Sequence, residues 1–228
     1  MPRSSVRDVS FSPASRTRLT HYDIARFPGE TLFDRLGRAV CDAECLPRKE
    51  LYEAWEVAKR VRRLFRGGRI LDFGGGHGLL AQIMLILDDS SPAAMVVDPA
   101  LPPSSKKVHE ALLRAWPRLK DRVDFVSQRL DEIPIESTDL VIASHACGAL
   151  TDVVLDRAAT ARSRVAVLPC CHDTETCDSG DLTGWIDSPL AIDVIRAVRL
   201  AGRGYDIWTQ MIPAAVTPQN RLLLGAPR

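Results

Sequence analysis

The hydrophobic pattern changes character along the chain, and the changes mark its elements. Over residues 46–65 apolar positions recur every three or four residues. Leu51, Trp55, Ala58, Val61 and Phe65 form one stripe on a segment that is otherwise basic. That period predicts an amphipathic helix with its stripe in the core. Pro47 suits its first turn, and Gly67-Gly68 ends it. Short apolar runs then alternate with helical patterns. Residues 69–73, 94–97, 122–126, 140–143 and 164–168 read as strands. Residues 79–87 are apolar on all sides, as expected of a helix buried against a sheet. Residues 105–116 place Val108, Leu112 and Trp116 on one helical face. A helix over 151–159 has Thr151 or Asp152 as its cap, and another runs from Ser188-Pro189 to about residue 200. Residues 205–212 and 221–224 close the pattern as a strand pair, with Pro213 and Pro218 in the turn between them.

Strand-then-helix units followed by two strands predict an α/β fold of the Rossmann-like kind. It is a seven-stranded, mostly parallel sheet with helices on both faces. Strands buried on both sides are short and apolar, as these are. The chain divides into an N-terminal extension over 1–45, partly disordered, a basic amphipathic helix over 46–66, and a main domain over 67–228. The first 20 residues are rich in Ser and Arg and lack the apolar core of a secretory signal. The longest apolar stretch is too short to span a bilayer, so no membrane role is expected. Six cysteines are too few to staple 228 residues, which points to a reducing, cytoplasmic setting.

Net charge is +1, but it is split: 15 Lys/Arg face 9 Asp/Glu in residues 1–70, and 15 face 20 thereafter. A basic front end can steer an anionic partner such as RNA, or simply solvate the fold. The helix over 46–66 concentrates Arg48, Lys49, Lys59, Arg60, Arg62, Arg63 and Arg66. Phosphate contact is one use for such a cluster. The chain lacks a clear aromatic platform beside it.

Candidate chemistry gathers where strands end, which is where ligands sit in such sheets. The first strand runs into Asp72-Phe73-Gly74-Gly75-Gly76-His77-Gly78. The glycines let the backbone turn and approach a ligand closely. Gly74 and Gly76 fit the first two positions of a dinucleotide fingerprint, but residue 79 is Leu where the third glycine belongs. No phosphate-loop Lys-Ser/Thr follows either. A carboxylate just before the glycines suits a ligand with a positive group, and Asp72 serves it directly or by ordering the loop. Asp98, ending the second strand, is placed to accept hydrogen bonds from both hydroxyls of a ribose. Asp72, Gly74, Gly75, Gly76, Gly78 and Asp98 together specify an adenosyl ligand with an amino-acid tail. Gln128 or Asp131, after the third strand, can meet the adenine edge, and spacing does not choose between them.

These residues resemble the glycine motif and ribose-binding acid of the class I S-adenosylmethionine-dependent methyltransferases, over roughly residues 67–225. A narrower match follows. Ser144-His145-Ala146-Cys147-Gly148, with Thr151-Asp152, then Cys170-Cys171-His172, then Val216-Thr217-Pro218-Gln219-Asn220-Arg221, resemble a methyltransferase-like family. That family includes tRNA 2′-O-methyltransferases of the acceptor stem, in which the first two segments flank the cofactor. The chain departs from those enzymes in carrying Asp173 where a second histidine stands. The resemblance implies S-adenosyl-L-methionine as cofactor, with Ser144 beside it.

For a hydroxyl acceptor a base must take the proton, and His145, His172 and Asp152 are the candidates. His145 is favoured, as it leaves the fourth strand where acceptor-facing residues sit, and Asp152 either orients it or caps the next helix. Cys147, Cys170 and Cys171 are read three ways: as small buried packing groups, as catalytic groups, or as metal ligands with the histidines. The metal reading is disfavoured because neighbouring side chains diverge along an extended chain. Residues 173–184 form either a lid or plain surface. The sequence thus predicts a methyltransferase with RNA, reached through the basic front end, or a small molecule as acceptor. A non-catalytic, cofactor-binding partner subunit is the third reading.

Overall fold

The computed structural model describes residues 11–228; the expectation for residues 1–10 lies outside that range. Seven strands are ordered β3-β2-β1-β4-β5-β7-β6 in one sheet. They are β1 (Ile70–Phe73), β2 (Ala94–Val97), β3 (Val123–Val126), β4 (Leu140–Ala143), β5 (Arg164–Val167), β6 (Tyr205–Met211) and β7 (Arg221–Pro227). The first five are mutually parallel. β7 runs antiparallel between β5 and β6. The fold is the expected mostly parallel α/β sheet.

Among the described residues six α-helices cover it: α1 (Leu32–Ala43), α2 (Arg48–Leu64), α3 (Leu79–Leu87), α4 (Ser105–Ala115), α5 (Ala149–Ala161) and α6 (Ser188–Gly202). The strand residues alternate between two apolar layers. Ile70, Leu140, Ile142 and Ala166 join α1 to α4 in one, whereas Leu71, Phe73, Val141 and Val165 join α5 in the other. This is the two-residue period of a strand applied to a sheet buried on both faces. Asp72 falls on the α3 face with Ile70, and that parity places a carboxyl under the glycine loop.

Two elements differ from their sequence reading. The N-terminal extension contains α1, whose Leu36, Val40 and Cys41 are buried in the same core as the sheet. Thr31 caps it, accepting from Asp34 N–H at 3.1 Å. No long apolar run announces α1, because half of its face is built of Gly37, Ala39 and Ala43. α5 starts two residues before Thr151, and its cap is Gly148 at φ +57°. Thr151 and Asp152 therefore do not cap it. The Thr151 hydroxyl donates to Ala146 O, and Asp152 pairs with an arginine of α6. α6 begins at Ser188-Pro189 as expected, with Asp187 accepting from Leu190 N–H.

Among the described residues, no helix is long and apolar enough to cross a membrane.

Candidate active site

Strand order reverses between β1 and β4, so the loops leaving these two strands diverge and open a crevice at their C-terminal ends. The glycine loop occupies one wall. Gly78 turns the chain into α3 at φ +70°, and a Cβ there would meet Val96 at 2.7 Å and Phe125 at 2.9 Å. Gly76, at φ +50°, faces open space. The loop is therefore packed tightly from below and bare above. The second wall is the backbone of His145 and Ala146, which lies 3.7–3.8 Å from where a Cβ of Gly74 would be.

Asp72 lies beneath this loop, 1% exposed. Its Oδ2 accepts from Ala81 N–H at 3.3 Å, which ties the free N-terminus of α3 to β1. Its Oδ1 is buried and has no hydrogen-bond partner among the described residues. Burial pushes the carboxyl up to about 7, with nearby Asp98 adding to the rise and the Ala81 bond opposing it. An unpartnered buried carboxylate oxygen is costly unless a donor or cation meets it. Asp98 accepts from Gly76 N–H at 3.2 Å and Ala100 N–H at 2.8 Å, one bond to each oxygen. A carboxylate has about four acceptor positions, so Asp98 keeps room for two hydroxyls.

A cavity of about 270 Å³ continues from here, lined by Gly74, Val97, Pro99, Arg129, Leu130, Asp131, Leu150 and Val153. Its walls are apolar with an acid at the edge, the lining expected for an adenine ring. Asp131 lies on this wall and Gln128 does not, which separates two residues that spacing left equal. Asp131 also takes an ion pair from Arg129 at 3.0 Å. The orphaned Asp72 oxygen, the bare glycine loop, the half-used Asp98 and this cavity fit S-adenosylmethionine in the order amino-acid tail, ribose and base. Ser144 is buried at the end of β4, next to the crevice.

The loops after β4 and β5 form a second centre. Gly148 N–H donates to Cys171 O at 3.2 Å and joins them. His145 is exposed, and no hydrogen bond holds its ring among the described residues. His172 is the opposite case: its side chain is 3% exposed, and Nε2 lies 2.8 Å from Asp193 Oδ1. Asp193 also accepts from Arg221 Nε at 2.7 Å and contacts Arg196 at 3.4 Å. These partners hold its carboxyl below the usual range despite burial. Arg196, 2% exposed, donates to both oxygens of Asp152 at 2.9 and 2.8 Å and to Gly148 O. Asp152 therefore does not orient His145; its two oxygens are committed to α6. The arginine and Asp193 of α6 carried no motif and were missed. The only sequence signal for them was charge at three-residue intervals, Asp193, Arg196 and Arg199, on an otherwise largely apolar helix.

Beside this network a cavity of about 440 Å³ opens. Pro169, Leu190, Val194, Met211, Leu222 and Leu223 supply apolar wall, and Asp193, Arg196 and Arg221 supply charge. The three cysteines are not the buried packing groups of the bland reading. Cys147 and Cys171 are exposed, and Cys170 is half-buried. Nor do their side chains diverge: their sulfurs gather within 4.8 Å. The chain leaves the extended conformation after Val167, so strand alternation does not apply to Cys170 and Cys171. Cys177, in the segment over 173–184, is buried beneath Arg196.

Three acids tie five of the seven cations of the basic helix into the fold. Arg48 stacks on Phe11 at 3.5 Å, and Lys49 pairs with Glu53. Lys59 and Arg60 pair with Glu56, and Arg66 with Asp88. Arg62 is buried against Asp88, Ser91 and Met84 O, and burial lowers it to about 10. Arg63 and Arg66 are exposed among the seven. A segment that looks like a phosphate-binding surface in sequence is largely a set of internal ties.

The sheet order and this site define a class I S-adenosylmethionine-dependent methyltransferase. A family model described as a methyltransferase domain matches residues 49–176, more than half of the chain, and the chain belongs to that family. A glutathione S-transferase C-terminal domain-containing protein of Xenopus laevis is 32% identical over 112 residues, which is 46% of this chain. This chain matches only 16% of that protein's length. Among solved structures, an O-methyltransferase family protein from Burkholderia thailandensis superposes with a TM-score of 0.53 at 16% identity, over 92% of this chain and 64% of that one. The mitomycin 7-O-methyltransferase MmcR superposes with a TM-score of 0.51 at 20% identity, over 93% and 65%. At these identities the likeness is one of fold.

Proposed function

We propose that this chain transfers the methyl group of S-adenosylmethionine to a hydroxyl of a small organic acceptor bound over the ends of β4 and β5. The single observation behind the transfer is the buried, half-unpartnered Asp72 under a bare glycine loop, facing the half-used Asp98. When bound, the cofactor supplies a methyl carbon on a sulfonium, open to in-line attack. The chain's own part is to fix that carbon and present the acceptor. Asp98 and Asp131 hold the ribose and base, and Asp72 meets the amine. His145, exposed on the crevice wall and free of other bonds, takes the acceptor proton as the oxygen–carbon bond forms and the carbon–sulfur bond breaks. His172, bonded to Asp193, positions the loop that carries it.

The choice of a small acceptor rests on the 440 Å³ cavity, which is within the usual range for such ligands. The internal ties of five α2 cations weaken the argument for phosphate contact. A second reading, a ribose hydroxyl in RNA, is favoured by the convergence of the His145–Asp152 and Cys170–His172 segments that resemble the tRNA enzymes.

The first test is calorimetric titration with S-adenosylmethionine and S-adenosylhomocysteine, with Asp98→Ala as control. Micromolar binding weakened by the substitution is expected. A folded, cofactor-free sample that binds neither ligand would remove the enzyme reading. The second test offers methyl-labelled cofactor with a small-molecule extract and, separately, with unmodified total RNA. Label in the small-molecule fraction is expected, and label confined to RNA selects the second reading.

A further inference from the structure

We propose that Cys147, Cys170 and Cys171 form a zinc site on the joined loops that follow β4 and β5. The three sulfurs lie within 4.8 Å of one another, and Cys147 Sγ is 3.0 Å from Cys170 Sγ. Zinc–sulfur bonds of about 2.3 Å in a tetrahedron put neighbouring sulfurs about 3.8 Å apart, so side-chain adjustments of about 1 Å complete the tripod. The backbone is already in place. β4 and β5 are adjacent and in register from Leu140↔Arg164 to Ala143↔Val167. The Gly148–Cys171 hydrogen bond then holds the two loops together.

The donor set chooses the ion. Three thiols exclude magnesium and calcium, which take oxygen ligands, and select zinc or another thiophilic ion. Two of the three are exposed, so an ion can enter from solvent. Three protein ligands with a free fourth position is the pattern of reactive zinc sites; structural sites are closed by a fourth residue. The position matters too. The backbone of His145 and Ala146, immediately before Cys147, packs against Gly74 of the cofactor loop. A metal here would stand beside the crevice with one position open to water or to a heteroatom of a ligand.

The full chain, purified anaerobically with reductant and then dialysed against zinc chloride, should retain one equivalent of zinc by elemental analysis. Cys147→Ser, Cys170→Ser and Cys171→Ser should each lose it, while Cys45→Ser, remote from the cluster, should keep it. Cobalt replacement gives a second readout that needs no variant: a thiolate-to-cobalt charge-transfer band of the intensity expected for three sulfurs. Circular dichroism and cofactor titration on each variant separate loss of metal from loss of fold. Zinc retained equally by a triple serine variant overturns the site, as does absence of metal from the fully reduced chain. A Cys147–Cys170 disulfide that forms in preference to zinc uptake overturns it as well. None of these readouts depends on methyl transfer.

Discussion

The two halves of the crevice are built in different ways. On the β1–α3–β2 side the ligand surface is backbone: a glycine loop packed from below by Val96 and Phe125, with one buried carboxylate tying strand to helix. On the β4–α5–β5–α6 side it is side chains: His145 in the open, thiols gathered from two loops, and His172, Asp193, Arg196, Arg221 and Asp152 bonded across four segments. A cofactor common to a whole fold needs one fixed shape, and backbone supplies it. An acceptor that differs between relatives needs a surface that can change, and side chains on loops supply that.

This contrast makes the halves separable by mutation. The largest expected effect is on turnover. His145→Ala should lower kcat by about 10²–10⁴-fold, the usual loss for a general base, while stability stays within about 0.5 kcal/mol and cofactor affinity is unchanged. Weakened cofactor binding in that variant would move His145 to the backbone half. Next is the buried ion network. Arg196→Ala leaves Asp152 and Asp193 without their shared cation and should cost about 3 kcal/mol in urea denaturation. The folded fraction should still bind cofactor normally, and a parallel loss of cofactor binding would show that the halves are coupled. Gly78→Ala should cost about 2 kcal/mol, from left-handed backbone strain and contact with Val96 and Phe125, and should weaken cofactor binding as well. A wild-type melting profile for this variant would contradict the tight packing under the loop.

The smallest effect sharpens the role of Asp72. Its carboxyl is held at about 7 by burial, above the ordinary value of about 4. Between those values the native state keeps a proton that the unfolded chain has released. Stability from this group is therefore full below about pH 4, falls as pH rises toward 7, and is level above it. Asp72→Asn should flatten that slope. A cation beside Asp72 favours its charged form, so S-adenosylmethionine should bind more tightly as pH rises toward 7, by at most about tenfold per unit, and level off above it. Titrations at several pH values check this, and an equal slope in Asp72→Asn would place the amine elsewhere.

Local pattern alone determined much of this protein. Each parallel strand, the buried α3, the stripe of α2 and the glycine loop between Asp72 and Asp98 follow from period and residue type, because each depends on neighbours a few positions away. The class of fold and the cofactor follow from those elements in order. Tertiary structure alone decided what depends on distant partners. The burial of α1 was not read from its sequence because half of its buried positions, Gly37, Ala39 and Ala43, are small residues whose value appears only when another element packs on them. Arg62 and Arg66 of the basic run became internal ties because Asp88 and the backbone of α3 lie beside them only after folding, whereas the pairs with Glu53 and Glu56 are local to α2. Asp152 is held by Arg196, 44 positions away, and Asp131 lines the cavity beside the crevice where Gln128 does not, for the same reason. Cys147 met Cys170 and Cys171 because two parallel strands end side by side, a proximity that no spacing along the chain encodes.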